Sequence, residues 1–354
     1  MKYILLSYLI FSFISCSKKE DTTTPAPEPL FYRAADMSFL PLIESEGVIY
    51  KNNNIAEDPI ITLKNAGCNT IRIRLWQNPS DGRSGFTEVK SFAQRIKQAG
   101  LKVWLTVHYS DTWADPGHQT KPVNWQSLNF TTLKNTVNTY TSQIMTEIQP
   151  DIIQIGNETN DGFLWPDGKL SINESQYLQL VNTACAAVRA KSNTAKIILH
   201  YGGISGSDWF FNKVAMVDYD YIGLSYYPIW HGTSLTNVQN TINSLGQMYN
   251  KKVLLAETSY PFTLGYNDYT NNVVGLSNQL APGYSATTSG QLSFLSAIKN
   301  SVKQSADGIG FCYWGAEWVA FRGPNATNGS SWENQALWDF NNNALPALDA
   351  FSNN

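Results

Sequence analysis

The sequence predicts an α/β protein, a single (β/α)8 TIM barrel whose long βα loops form a substrate cleft. From residue 31 onward, eight short runs rich in apolar and β-branched residues alternate with stretches of helical periodicity. The chain has 354 residues, a length that one such barrel commonly occupies. A doubly wound open sheet is the alternative. It normally carries a glycine-rich phosphate loop after its first strand, and residues 36–40 read DMSFL instead.

The eight predicted strands are residues 31–37, 70–75, 102–108, 152–156, 196–200, 221–225, 252–257 and 308–314. Helical periodicity lies between them, at residues 59–66, 87–99, 133–148, 175–189, 208–217, 235–249 and 291–303, with a final helix expected near 345–351. Because the active site of a barrel lies at the carboxyl ends of its strands, the residues that end each run are the candidates for function.

The N-terminal 30 residues read as export and anchoring segments that precede the barrel domain, residues 31–354. Lys2 and the apolar run 4–14 predict a signal peptide at residues 1–15, too short to span a bilayer comfortably. The run ends at Cys16 in a sequence that resembles a bacterial lipobox, which predicts lipidation of Cys16. Residues 16–30 then form a Pro/Thr tether. Its charged start resembles the export signal of surface lipoproteins in Bacteroides-like bacteria, so we expect an outer-membrane lipoprotein on the cell surface, or otherwise one that faces the periplasm.

The composition favours a neutral, hydroxylated ligand. Only 15% of the residues are charged, whereas about 25% is usual. The polar surface must therefore come largely from amides and hydroxyls. Aromatic residues make up 13%, including eleven tryptophans, whose faces stack well on sugar CH groups. Without residues 1–15, which hold one lysine, the formal charge is 24 minus 28, or −4, and no basic run suggests a nucleic acid. We expect a monomer.

The cysteines beyond the N-terminal segment predict no disulfide framework. Cys68, Cys185 and Cys312 are odd in number and lack CxxC spacing. We interpret all three as small buried apolar residues.

Two apolar strands deliver a glutamate at their carboxyl ends. Residues 151–159 read DIIQIGNET and end in Asn157 and Glu158, and residues 252–257 read KVLLAE and end in Glu257. Glycoside hydrolysis usually needs two carboxyl groups, one protonated and one ionised. Either glutamate alone could be an ordinary loop carboxylate. Their positions after the fourth and seventh strands of a predicted barrel favour a catalytic pair instead.

Longer strings make a more specific case. RIRLWQNPSDG (72–82), HYSDTWADPGHQTKP (108–122), IGNETNDGFLWPDG (155–168), SYYPIW (225–230) and AETSYP (256–261) resemble glycoside hydrolase family 53, the endo-β-1,4-galactanases among the clan A retaining glycosidases. The resemblance implies hydrolysis of β-1,4-galactan, with Glu158 as the general acid/base and Glu257 as the nucleophile. In such a pair the carboxyl groups lie about 5–5.5 Å apart and the anomeric configuration is retained. It also implies that Asn157 bonds the 2-hydroxyl of the sugar being cleaved.

Polar side chains near the two glutamates are further candidates. Arg72 and Arg74 share one side of their strand, and a buried guanidinium beside Glu257 would keep that carboxylate ionised. We favour Arg74 because it is nearer the strand end; a structural ion pair is the alternative. Tyr226 or Tyr227 could donate to the nucleophile, and the sequence does not distinguish them.

His108 ends the third strand, where it could bind substrate or support a group that does. A core histidine is the alternative, and no HExxH-type spacing suggests a metal. Asp111 could bond sugar hydroxyls or could serve only as a turn carboxylate. Stacking platforms are expected from the tryptophans at strand ends and in long loops, namely Trp113, Trp165, Trp314 and Trp318. Trp76, Trp209 and Trp230 are assigned to packing.

The chain departs from the family pattern in two places. After the eighth strand, residues 314–318 read WGAEW where the family typically has Trp-Glu-Pro-Ala-Trp, which puts the contacts on that side of the cleft in doubt. Bacterial relatives often hold calcium in the loop after strand seven. This loop offers Asn267, Asp268, Asn271 and Asn272 without the usual alternation. We expect no metal and no other cofactor, with calcium left open as the alternative.

Three other functions fit the sequence less well. A non-catalytic surface glycan-binding lipoprotein would use the same aromatic cleft, but it gains nothing from two carboxylates that repel each other. A clan A hydrolase of another β-1,4-linked polysaccharide, such as a mannan or xylan, is disfavoured by the family-specific strings. A serine hydrolase is disfavoured because no GxSxG motif occurs.

Overall fold

The structure, a computed structural model, describes residues 30–353 and has a closed barrel of eight parallel strands at its centre. In chain order the strands are β1 (Tyr32–Asp36), β2 (Thr70–Leu75), β3 (Lys102–Val107), β4 (Ile152–Ile155), β5 (Lys196–Tyr201), β6 (Tyr221–Ser225), β7 (Lys252–Thr258) and β8 (Gly308–Tyr313). Each strand pairs with its chain neighbours, and β1 pairs with both β2 and β8. This closure confirms the predicted (β/α)8 barrel and rules out the open sheet.

Within residues 30–353, seven α-helices of seven or more residues surround the barrel, and a 3-10 helix of six residues lies near the end of the domain. The α-helices are α1 (Pro59–Ala66), α2 (Phe86–Gln98), α3 (Phe130–Glu147), α4 (Leu170–Lys191), α5 (Ser207–Lys213), α6 (Leu235–Tyr249) and α7 (Thr288–Lys303), and the 3-10 helix is Pro346–Phe351. Side-chain caps start several of them: the side chains of Asn129 and Ser234 accept backbone N–H bonds at the first turns of α3 and α6. The sequence prediction started α4 five residues too late.

Six short elements of residues 30–353 were not predicted. They are short α-helices at Leu40–Ser45 and Pro228–His231, a hairpin formed by Lys51–Asn52 and Ile55–Ala56, and 3-10 helices at Val123–Trp125, Ser277–Gln279 and Glu333–Gln335. Each has six residues or fewer, too few to establish a hydrophobic period.

The inside of the barrel changes from apolar to polar toward the carboxyl ends of the strands. A compact interior cluster near the other end includes Trp104, Ile152 and Ile198. Gln154 on β4 and His200 on β5 lie two residues further along the strands than Ile152 and Ile198, so they also point into the barrel. Both are fully buried. The outward-facing residues of the strands pack with the helices in a second, larger core. Buried polar side chains such as Gln154 and His200 are therefore available to a functional site at the carboxyl edge.

The expected signal peptide (1–15) and all of the tether (16–30) except its last residue lie outside the described residues, and so does Cys16. The other three cysteines are buried and free, as predicted. No helix within residues 30–353 is long and apolar enough to cross a membrane.

Candidate active site

An open cavity of about 470 Å³ lies at the carboxyl edge of the barrel. Glu158 and Glu257 both line it, so the fold brings together the two carboxyl groups that the sequence singled out. Much of the remaining wall is aromatic, formed by Trp113, Trp230, Trp314, Trp318, Trp332 and Tyr227. Carboxyl groups between aromatic faces suit a sugar ligand.

A bulge in β7 directs Glu257 into the barrel. Leu224 of β6 pairs with Leu255, but the next residue, Ser225, pairs with Glu257, so β7 holds one extra residue at this point. Ala256 belongs to the interior cluster, and strict alternation would turn Glu257 outward. The bulge allows both neighbours to be buried and re-aims the carboxylate toward the site.

Arg72 holds Glu257 in place. Its Nη2 donates to Glu257 Oε1 at 2.7 Å and to Asn157 Oδ1 at 2.9 Å, while Nη1 donates to Asp36 Oδ2 at 2.8 Å. Tyr227 donates its hydroxyl to the other oxygen, Glu257 Oε2, at 3.0 Å. Both oxygens of Glu257 thus accept hydrogen bonds, one of them from a cation.

The sequence-based choice of Arg74 as the partner of Glu257 is wrong. Arg74 Nε donates to Ser84 Oγ, and its guanidinium lies over the rings of Phe39, Trp76 and Trp113, 4.0–4.7 Å from their centroids. Two residues along a strand span about 6.6 Å, so Arg74 lies a full step above Arg72 and reaches loop side chains instead. Arg72 is level with Asp36 in the β1–β2 register.

Glu158 is placed by an unusual backbone turn. After β4 ends, Gly156 and Glu158 both take left-handed conformations, with φ of 77° and 45°. Such a φ is uncommon for glutamate, and it persists only where the surroundings fix it. The Glu158 carboxyl group accepts a 2.5 Å hydrogen bond from Ser225 Oγ at Oε1.

The two glutamates differ in the groups that stabilise their charge. Burial, then the nearby charge of Glu257, raises the pKa of Glu158 to about 8. Burial also raises the pKa of Glu257, but Arg72 and the Tyr227 hydroxyl counteract it. Glu158 has one hydroxyl donor and no paired cation, so it is the member of the pair that keeps a proton at neutral pH.

Asn157 is oriented by three polar neighbours. Its Oδ1 accepts from Arg72 and from Gln154 Nε2 at 3.1 Å, and its Nδ2 donates to Ala114 O at 2.9 Å. One amide hydrogen remains for another acceptor. Contact with a sugar 2-hydroxyl stays a prediction.

His108 supports the loop after β3. Its Nδ1 accepts the backbone N–H of Ala114 at 3.0 Å, and burial lowers its pKa well below the ordinary value, so the ring is neutral. It packs against the rings of Trp76 and Trp113 and is not among the residues that line the cavity. The described geometry fits a supporting role beneath Trp113.

The aromatic predictions divide into two groups. Trp113, Trp314 and Trp318 line the cavity as expected, whereas Trp165 does not: its Nε1 donates to Asp161 O and its ring lies beneath Lys169. Assigning Trp230 to packing is wrong, since the side chain is 55% exposed and lines the cavity.

Trp332, which lines the cavity, and Ser225, which lies behind it and donates to Glu158, were not identified from sequence. Trp332 lies in a long loop outside the quoted strings, and its ring contacts Trp314 with centroids 4.7 Å apart. Ser225 ends β6 within a quoted string, and that position at a strand end is the signal that could have found it.

Tyr226 and Asp111 have structural surroundings. Tyr226 is buried in the outer core, so Tyr227 is the tyrosine that contacts Glu257. Asp111 accepts hydrogen bonds from the backbone N–H groups of Asn78 and Val123. These contacts fit the alternative interpretation of Asp111 as a turn carboxylate.

The loop after β7 ties itself to neighbouring segments. Asp268 accepts the N–H of Thr270, and Asn267 donates its own N–H to Glu333. In residues 30–353, no group of three or more His, Cys, Asp and Glu side chains is arranged to hold a metal ion.

Comparisons with known proteins agree on one family. The model of Glycosyl hydrolase family 53 matches residues 32–351. An arabinogalactan endo-beta-1,4-galactanase of Cellvibrio japonicus is 35% identical over 338 residues, which cover 90% of this chain and 89% of that protein. The solved GH53 catalytic domain of Ignisphaera aggregans is 36% identical with a TM-score of 0.85, covering 92% and 97% of the two chains. A structure of fungal beta-1,4-galactanases has 30% identity and a TM-score of 0.81, covering 92% and 100%.

The buried position of Arg72 gives a pH-dependent prediction. Arg72→Met leaves Asp36 and Glu257 without their cation, so we expect a loss of about 3–5 kcal/mol in the free energy of unfolding at pH 8. Burial raises the pKa of Glu257 in the folded protein, and loss of the Arg72 cation raises it further above the unfolded value. The folded variant therefore binds protons first, and the loss shrinks as the pH falls toward 5. Urea denaturation at pH 8 and pH 5.5 measures both effects.

Arg74→Met is the matched control, because Arg74 is also buried but has no carboxylate within 4.0 Å among the described residues. Its loss of stability should change much less with pH. Equal pH dependence in the two variants would contradict the role of Arg72.

Proposed function

The chain belongs to glycosyl hydrolase family 53, and we propose from this membership and from its paired glutamates that it cleaves internal β-1,4-galactosidic bonds in galactan and type I arabinogalactan. The observation that carries the proposal is the unequal environment of Glu158 and Glu257 in one cavity. Retaining hydrolysis needs one protonated and one ionised carboxyl group, and their surroundings provide that difference.

In the first step, the Glu257 carboxylate attacks the anomeric carbon while Glu158 gives its proton to the leaving glycosidic oxygen. The bond to the leaving sugar breaks, and a covalent galactosyl ester forms on Glu257. In the second step, Glu158, now ionised, takes a proton from water as the water attacks the same carbon. Two inversions give net retention, and Glu257 is released as a carboxylate.

Arg72 and Tyr227 would act through Glu257. Their hydrogen bonds favour the ionised, nucleophilic form and hold its two oxygens in a fixed orientation. Glu257 loses its negative charge when the ester forms. In the second step the nearby Arg72 cation stabilises the carboxylate that leaves.

The aromatic wall supports a polysaccharide substrate. Trp314, Trp318 and Trp332 form a contiguous cluster whose ring centroids lie 4.7–6.5 Å apart. Trp113 joins it at 6.1 Å from Trp314. A wall of this breadth suits several sugar rings in succession, and an open cavity can admit part of a polysaccharide chain.

The non-catalytic alternative explains the aromatic wall but not the buried ionic cluster. Arg72 and Glu257 are nearly inaccessible, and burying a charged pair has a high desolvation cost that simple sugar binding does not require. The relatives described as galactanases favour galactan over mannan or xylan as the substrate.

We further propose that the protein is a monomeric lipoprotein held at the bacterial outer membrane, on the cell surface or facing the periplasm, through lipidated Cys16. The support is the sequence alone: the apolar run 4–14, the Cys that ends it and the tether that follows. No metal or other cofactor enters the proposed mechanism.

Digestion of linear β-1,4-galactan by the purified protein is the central test. We expect reducing ends to rise while mean chain length falls quickly, with oligosaccharides appearing before galactose. Proton NMR of the first products should show the β-anomer, because the configuration is retained. Linear mannan and xylan are the controls. Absence of oligosaccharide release from galactan would overturn the enzyme assignment.

The two glutamates should respond differently to the leaving group. Glu257→Ala is expected to lower kcat by at least about 10⁴-fold on every substrate, because the nucleophile is gone. Glu158→Ala should cost about 10³-fold on galactan and much less in the first step on a dinitrophenyl glycoside, whose leaving group needs no proton. Pre-steady-state release of dinitrophenol measures that step. Equal losses of Glu158→Ala on both substrates would argue against the acid role.

Lipid anchoring predicts a change of location. In the native bacterial host, Cys16→Ala should move the protein from the membrane fraction to the soluble fraction, since one thioether-linked lipid anchor is lost. Cys68→Ala, which alters a buried cysteine of the barrel, is the control. Continued membrane association of Cys16→Ala would contradict lipidation at this residue.

A further inference from the structure

A buried chain of hydrogen bonds connects the inside of the barrel to Glu158. It runs through one interior side chain from each of four adjacent strands: Trp104 on β3, Gln154 on β4, His200 on β5 and Ser225 on β6. All four are fully buried. The links are Trp104 Nε1 to Gln154 Oε1 at 3.2 Å, Gln154 Nε2 to His200 Nδ1 at 2.9 Å, His200 Nε2 to Ser225 Oγ at 2.9 Å, and Ser225 Oγ to Glu158 Oε1 at 2.5 Å.

The direction of this chain is fixed at its first member. An indole N–H can only donate, so the Gln154 atom facing Trp104 must be the carbonyl oxygen. The Gln154 amide nitrogen then faces His200 Nδ1, with Gly156 O at 3.0 Å and Asn157 Oδ1 at 3.1 Å as its other acceptors, and it can only donate. The backbone N–H of Glu158 also points at His200 Nδ1, at 3.3 Å. With donors on both sides, Nδ1 must accept, so His200 is neutral and its proton lies on Nε2.

The same logic passes to Ser225. Its Oγ accepts the Nε2–H of His200, so its single hydrogen is directed to Glu158 Oε1. Every donor in the chain therefore points toward the carboxyl group of Glu158.

The carboxyl group is also confined sterically. A Cβ on Gly202 would lie 2.7 Å from Glu158 Cδ and 2.8 Å from Oε1, so only glycine allows Glu158 to take this position. Oε1 is thus enclosed between Gly202 and Ser225, while Glu158 as a whole lines the open cavity.

We propose that Ser225, oriented by neutral His200, is a positioning residue that keeps Glu158 Oε1 a hydrogen-bond acceptor and so puts the transferable proton on Oε2. This inference rests on the proposed acid/base role of Glu158. When Glu158 is protonated, Oε1 already accepts a hydrogen bond, so the proton occupies the oxygen that substrate can reach. When Glu158 becomes the base, the same hydrogen bond holds Oε1 while Oε2 takes the proton from water.

The arrangement has a consequence for pH dependence. A hydrogen bond donated to a carboxylate favours its charged form, so Ser225 opposes the rise in pKa caused by burial. Glu158 must be protonated for the first step, and activity falls as the pH rises through its pKa. Without Ser225 that pKa is higher, so the fall moves to higher pH. The other charged or titratable groups around Glu158 are Glu257, Arg72, Asp115, His200 and Tyr227, and the substitution leaves them in place.

Ser225→Ala tests the proposal in the full-length protein. We expect the alkaline limb of the kcat/KM profile on galactan to move up by about one pH unit. At the optimum, kcat should fall about tenfold with little change in KM, because the proton is no longer confined to one oxygen. The ¹³C chemical shift of Glu158 Cδ, identified by its loss in Glu158→Gln, should titrate about one unit higher in the variant.

Ser259→Ala is the matched control. Ser259 is equally small and buried, and its hydroxyl donates to Gln335 at 2.9 Å near the end of the neighbouring strand β7. It should lose similar stability without moving either titration. The proposal is overturned if Glu158 titrates alike in wild type and Ser225→Ala, or if both serine variants shift it equally. Failure of the wild type to cleave galactan would reject the proposed function instead, while the ¹³C titration still decides the role of Ser225.

Discussion

The buried guanidinium of Arg72 is the interaction on which the site depends. It joins Asp36 on β1 and Glu257 on β7, strands that lie on opposite sides of β8 in the barrel order. Three charges that each require desolvation are stable here only because the bonds are short and shared among them. One cation between two carboxylates leaves a net negative charge in a medium of low dielectric, and any further carboxyl group nearby is pushed toward its neutral form. Glu158 is such a group: burial raises its pKa most, and the charge of Glu257 adds to the rise.

Placing these charges required departures from regular strand geometry. Regular alternation in β7 would bury Ala256 and turn Glu257 outward, and the bulge reverses this for Glu257 alone. On β4, the left-handed residues Gly156 and Glu158 turn the chain so that the acid faces the cavity. Both catalytic candidates therefore depend on local irregularities of the backbone. The hydrogen-bond chain behind Glu158 instead uses side chains that point into the barrel by the regular alternation of its strands.

The sequence was sufficient for features set by local pattern. Strand positions, the closed barrel and the two glutamates follow from periodicity, from strand ends and from the family resemblance. Contacts between distant segments were not accessible in this way. Alternation placed Arg72 and Arg74 on the same side, but which one meets Glu257 depends on the register between β1 and β2, and on the height of each side chain in the barrel. Tyr226 and Tyr227 are adjacent, and only the packed core separates a buried ring from one that reaches the nucleophile. Trp230 and Trp332 are brought together by two loops about a hundred residues apart, with ring centroids 6.3 Å apart.

The two arginines of β2 show how one strand serves two parts of the site. Arg72, which lies deeper in the barrel, pairs with Asp36 and Glu257 and so favours the ionised form of Glu257. The upper one, Arg74, lies against the rings of Phe39 and Trp113, and Phe39 in turn stacks on Trp318 with centroids 3.9 Å apart. Because aromatic rings and not carboxylates stabilise the Arg74 guanidinium, no additional carboxylate is needed beside it. Its attraction to several rings also fixes the positions of those rings relative to one another. The WGAEW segment joins this arrangement, because Glu317 accepts the backbone N–H of Phe39 beneath the same stack. The departure from the family pattern therefore falls where the aromatic wall of the cavity is attached to the barrel, next to Asp36, whose backbone oxygen accepts the N–H of Ala316.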